Sequence, residues 1–143
     1  MRKTLLAIIA SILTLAAGSA RAEKFDAALF EALLKTARTY AADRTLIFYC
    51  LRKNDAMTPF AYAAVHLDLA YALQLVRAAG ADERQRAELI EAVLRYIRPA
   101  KREDEDAALN NQCATAEVEK NLARLQGVGA PLFMRPPFEK LKP

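Results

Sequence analysis

The chain has 143 residues, with 21 Lys and Arg against 17 Asp and Glu, one histidine, two cysteines and no tryptophan. Four glycines and the absence of alternating β-branched runs argue against a sheet protein, and a single histidine excludes a multi-histidine metal centre. Most of the +4 net charge belongs to the first 22 residues, so it gives little support to nucleic-acid or anionic-membrane binding.

Arg2 and Lys3 precede an almost unbroken apolar run from Leu5 to Ala17, followed by Gly18, Ser19 and Ala20-Arg21-Ala22. This order of charged, apolar and small residues predicts a bacterial-type secretory signal, residues 1–22, cleaved after Ala22. The 13 residues of the run fall short of the roughly 20 that cross a bilayer. Ser19 stands where a lipoprotein would need a cysteine. The expected product begins at Glu23, has 121 residues and a net charge of +1, and resides in the periplasm or outside the cell. No stable membrane span is expected after cleavage. That length suits one domain with a real core. It divides into a helical domain, 23–126, and a Pro-rich tail, 127–143.

Residues 24–53 read as helix, with Phe25, Leu29, Leu33, Thr36, Tyr40, Ile47 and Leu51 on one side. One long helix is the favoured reading. Arg44 interrupts its stripe, and a break near Ala42-Asp43-Arg44 with Asp43 capping a second segment is the alternative. Asn54-Asp55 opens a turn. Thr58 and Pro59 then suit a helix start and Gly80 a stop, which defines an apolar helix over 58–79. Tyr62, Val65, Leu69, Leu73 and Val76 form one apolar face of it, and Phe60, Ala64, Leu67, Tyr71 and Leu75 another. Two apolar faces predict neighbours on both sides, which makes this helix the expected centre of the fold. The strip between them carries Ala63, His66, Ala70, Gln74 and Arg77. Asp68 lies across from the strip and needs water or a partner.

Asp82 and Gln85 have capping-box spacing. Ala87, Ile90, Val93, Leu94 and Ile97 read as a core stripe, Glu91 and Arg95 as a solvent-side pair, and Arg98-Pro99 as the end of the helix. The acidic run Glu103–Asp106 reads as the solvated start of a last helix, about 104–126. It lacks the alternating oxygen ligands and turn glycine of a calcium loop. In the tail, Leu132, Phe133, Met134 and Phe138 are too apolar for a spacer and are expected to pack back, with docking to a partner as the alternative.

Cys50 and Cys113 are expected to form a structural disulfide, as two cysteines of an exported chain usually do. The expected fold is therefore all-α: a small bundle of about four helices around 58–79, closed by one disulfide. No phosphate loop, nucleophile–base pair, metal cluster or cofactor motif is present, so no catalytic residue, metal or cofactor is assigned. His66 reads as a packed or hydrogen-bonded side chain, with pH sensing as the sharper alternative.

The expected function is non-enzymatic binding of an envelope or secreted protein, through His66, Gln74 and Arg77 and through Phe133, Met134 and Phe138. An immunity- or inhibitor-like role matches in size and composition, as analogy only. An acid- or stress-conditional periplasmic chaperone is the alternative. A small-ligand carrier or enzyme is third.

Overall fold

A computed structural model describes residues 25–115, 120 and 130–143. The expectations for the leader 1–22, and for the last helix over residues 116–119 and 121–129, lie outside the described residues. Those that are described form four α-helices and no strand, with a Cys50–Cys113 disulfide.

The first helix, α1, runs unbroken from Ala27 to Leu51. Asp26 caps it by accepting the Leu29 N–H at 2.9 Å. Asp43 caps nothing: its carboxylate pairs with Arg135 at 2.8 Å. Leu33, Tyr40, Ile47 and Leu51 of the expected stripe are buried, while Phe25, Leu29 and Thr36 lie at its half-covered edge. Near the end of the helix the neighbours Ile47, Phe48, Tyr49 and Leu51 are all buried, so α1 is surrounded there.

The second helix, α2, spans Thr58–Ala78. Thr58 does not cap it. Its hydroxyl turns back and donates to the Asn54 carbonyl at 3.0 Å, while Asn54 Oδ1 accepts the Met57 N–H at 3.2 Å. The other end follows the sequence. Gly80 has φ +104°, and the Gly80 and Ala81 N–H groups bond the Arg77 and Val76 carbonyls at 3.1 and 2.9 Å. That is the paired closure of a Schellman end, which a left-handed glycine permits.

The third helix, α3, is Glu83–Leu94, opened by a complete Asp82–Gln85 capping box. It ends before Arg98 because Thr45 of α1 takes over. The Thr45 hydroxyl donates to the Tyr96 carbonyl at 3.2 Å and accepts the Arg98 N–H at 3.0 Å. The fourth helix, α4, is Ala107–Cys113, so the acidic run precedes the helix, with Asp106 as its cap and Glu105 accepting from Asn110. Two 3-10 turns follow, Leu132–Met134 and Phe138–Leu141.

Three expectations about burial are corrected. The most extensively buried helix is α1, against α2, α3, α4 and the first 3-10 turn, while α2 meets α1, α3 and both 3-10 turns on one side. The helix over 58–79 is not wrapped. Ala61, Val65, Leu69, Ala72 and Val76 are buried, yet Phe60, Leu67 and Tyr71 of its second face are exposed. The core stripe of α3 is rotated: Leu89, Ala92, Val93 and Ile97 are buried, whereas Ala87, Ile90 and Leu94 face water. The neighbours of α2, which are α1, α3 and the two 3-10 turns, leave its Phe60–Leu67–Tyr71 side uncovered, and α3 meets α1 and α2 along one stripe only.

Candidate functional site

The strongest candidate is the uncovered side of α2 together with the tail beside it. Phe60, Ala64, Leu67, Tyr71 and Leu75 recur at three- and four-residue steps, which sets them in one row along the helix. Phe60, Leu67 and Tyr71 retain 58, 62 and 56% exposure. From Phe60 to Tyr71 the row is about 16 Å long, at 1.5 Å of rise per residue. The tail borders it. Phe133 lies against Tyr71 with ring centroids 5.2 Å apart, Lys142 Nζ stands 5.7 Å from the Phe133 ring, and Met134 remains 46% exposed.

A buried polar cluster sets the position of α2 and the tail on α1. Asp68 Oδ2 accepts from Tyr40 Oη at 2.7 Å and from Arg44 Nη2 at 3.1 Å. The Arg44 and Arg135 guanidinium groups lie 4.5 and 5.2 Å from the Tyr40 ring centre, and Arg135 also reaches Asp43. Thr36 Oγ1 donates to the Pro136 carbonyl at 3.1 Å. Burial, and the carboxylate of Asp68 beside it, push the Tyr40 hydroxyl above its ordinary range despite the opposing pull of Arg44. Tyr40 therefore stays a protonated donor to Asp68. The two sequence anomalies, a cation in the α1 stripe and a lone carboxylate on α2, are each other's partners.

A second polar cluster clasps α4 to the end of α1 beside the disulfide. Tyr49 Oη accepts the Asp106 N–H at 2.7 Å. Arg52 stacks 4.0 Å from the Tyr49 ring centre and donates to the Asp104 carbonyl at 2.7 Å and to Asn110 Oδ1 at 2.9 Å. Glu105 accepts from Lys53, Arg52 and Asn110. The Lys53 hydrogen bond first, then the Asn110 one, hold the Glu105 carboxyl down at about 2. Because the folded value lies below the ordinary 4.5, the contribution is complete above that pH and is lost as pH falls toward 2. The expected result is that the protection of α4 amides, taken against the intrinsic exchange rate at each pH, falls between pH 4.5 and 2 in the native chain. In Glu105→Gln that protection is already lower at neutral pH and changes less over that window; parallel protection profiles for the two proteins would remove Glu105 from the clasp.

The sequence-predicted site residues do not converge. His66 is exposed on the outer strip of α2, and Gln74 and Arg77 are exposed further along. The latter two line a cleft against α3. His66 and Asp68 do not meet, since Asp68 is engaged with α1. Phe133 is half-buried and Met134 exposed, but Phe138 is fully buried, so its ring belongs to the core and cannot serve as a contact. Phe60, Leu67 and Tyr71 were assigned to the interior by pattern alone. The available signal was their excess: a chain with few helices cannot cover two faces of each.

Among the described residues no group of three or more His, Cys, Asp and Glu is placed to hold a metal ion, and no helix is long and apolar enough to cross a membrane. Comparison of the chain with protein-family models, with curated proteins and with solved structures finds no match.

Proposed function

We propose that this is an exported, non-enzymatic protein-binding domain whose contact surface is the Phe60–Leu67–Tyr71 row extended by Met134. The observation that carries this reading is three large side chains on one helix face, each more than half exposed, on a scaffold braced by a disulfide. Contiguous apolar surface of that kind costs solubility unless a partner covers it. Aromatic anchors on a rigid element are the residues that dominate protein contacts. The apolar row replaces Phe138 in the expected contact set and retains Met134 and Phe133. The reading places the domain in the periplasm or outside the cell, in keeping with the signal-like leader.

The test is co-purification from bacterial envelope extracts with the full chain expressed with its leader, followed by a binding titration of whatever is recovered. Leu67→Asp combined with Tyr71→Asp alters only exposed positions, so the helical spectrum should be unchanged. The expected outcome is a partner that binds at least about 30-fold more weakly to the double variant, because each such anchor contributes roughly 1–2 kcal/mol or more. Equal binding of both proteins, or recovery of no partner, overturns the proposal.

A further inference from the structure

The cleft between α2 and α3 is separate from the apolar row. It measures about 390 Å³ and is lined by the apolar side chains of Leu73, Ala87 and Ile90 together with Gln74, Arg77 and Arg86. Leu94 follows Ile90 one turn further along α3 and is likewise exposed. Neither Arg77 nor Arg86 makes an ion pair or side-chain hydrogen bond with a described residue. Glu83 also lines the cleft, which leaves a surplus of one positive charge.

The position of Arg86 is the informative one. Arg77 sits in the last turn of α2, where a cation complements the helix dipole without any ligand. Arg86 sits in the opening turns of α3, where the dipole opposes a cation, and it is half-buried rather than free in water. Two permanent positive charges thus share the cleft with three apolar side chains and a single carboxylate. Three other clefts among the described residues lack this combination. The one lined by Arg38 and Arg95 also holds Glu88 and Glu91. In the one lined by Arg52 and Arg102, both arginines have acidic partners. The one containing Arg98 is bordered by Asp104, Glu105 and Asp106.

We propose that the α2–α3 cleft binds a small amphiphilic carboxylate, a medium-chain fatty acid anion. Its head would sit between Arg77 and Arg86 and its chain along Leu73, Ala87, Ile90 and Leu94. Guanidinium groups take carboxylates with paired, charge-assisted hydrogen bonds. The volume lies at the small end of ligand pockets, roughly 300–1,000 Å³. A peptide is the poorer occupant, because apart from Gln74 the walls present no side-chain amide or hydroxyl to read a backbone.

The test is an amide chemical-shift titration of the isotope-labelled chain with submillimolar decanoate, and separately with decyltrimethylammonium and with a short peptide ending in leucine. Decanoate is expected to bind saturably, with shifts centred on residues 73, 74, 77, 86, 87 and 90. Binding should weaken about tenfold or more in R77Q/R86Q and for the cationic amphiphile, as loss of a charge-assisted head contact requires. It should be unchanged in Leu67→Asp/Tyr71→Asp, so failure of the protein-binding reading and failure of this one are told apart. Equal binding of the two amphiphiles, insensitivity to R77Q/R86Q, shifts centred on Phe60–Tyr71, tighter binding of the peptide, or no saturable binding each overturns the proposal.

Discussion

Asp68→Ala is expected to cost about 3–5 kcal/mol of stability, the penalty for breaking a buried charge pair from one side. Both side chains of the Arg44–Asp68 pair are largely shielded, at 6 and 13% exposure. One carboxylate oxygen accepts from both Arg44 and Tyr40, so the substitution takes an acceptor from two buried donors together. Tyr40 cannot compensate by ionising, since burial already opposes its charged form. The cost is a mutant penalty rather than the worth of the pair: a buried ion pair replaced whole by apolar residues is often neutral. Arg44→Met/Asp68→Leu should therefore lose less than Asp68→Ala alone, although Arg44 also stacks on Tyr40. Urea unfolding of the three proteins measures this. A loss below about 1 kcal/mol for Asp68→Ala, the scale of an exposed pair, would show that the cluster does not hold α2 in place.

Removing the disulfide as Cys50→Ala/Cys113→Ala is expected to cost about 4 kcal/mol, from chain entropy over the 63-residue separation. For a domain of this size that lowers the melting temperature by on the order of 15 °C or more. The effect should be uneven along the chain. α4 contributes no buried residue, so what holds it is the sulfur bridge and the polar clasp from Tyr49 and Arg52. The core of α1, α2 and α3 contains neither half-cystine as a fully buried member. Hydrogen exchange of the variant should show α4 amides approaching the unprotected rate, while the central turns of α1 lose only the global share and stay well protected. Uniform loss of protection in α1 and α4 would mean that the bridge supports the whole core rather than one attached segment.

Much of the fold could be read from local chemistry. The Asp82–Gln85 box, the Gly80 closure, the Glu91–Arg95 pair and the disulfide are short-range or compositionally forced, and each is present as expected. The number of neighbours that a helix face meets is not written in local chemistry, whereas the return of the tail through Leu132 and Phe138 follows from their apolar character. An apolar face looks the same in sequence whether another helix covers it or not, so Tyr71 and Val76 were assigned equal burial although they differ completely. The same ambiguity rotated the stripe of α3. Thr58 illustrates a different limit. Its hydroxyl had two local acceptors upstream, Leu51 and Asn54, and a backward bond replaced the forward cap. The contact residues were legible only by type. Pattern alone identified aromatic and aliphatic side chains on α2 and in the tail, but not which of them would be left outside.

Thr36 meets Pro136 one hundred positions later, and the fully buried Leu132 and Phe138 come from the same late stretch. The interior is therefore unfinished until residue 138 has left the ribosome, and the earliest helix must wait for the latest ring. Such delayed closure keeps a nascent chain pliable through most of its synthesis. With two cysteines in the entire sequence, the waiting chain also has no wrong intramolecular sulfur pairing available to trap it.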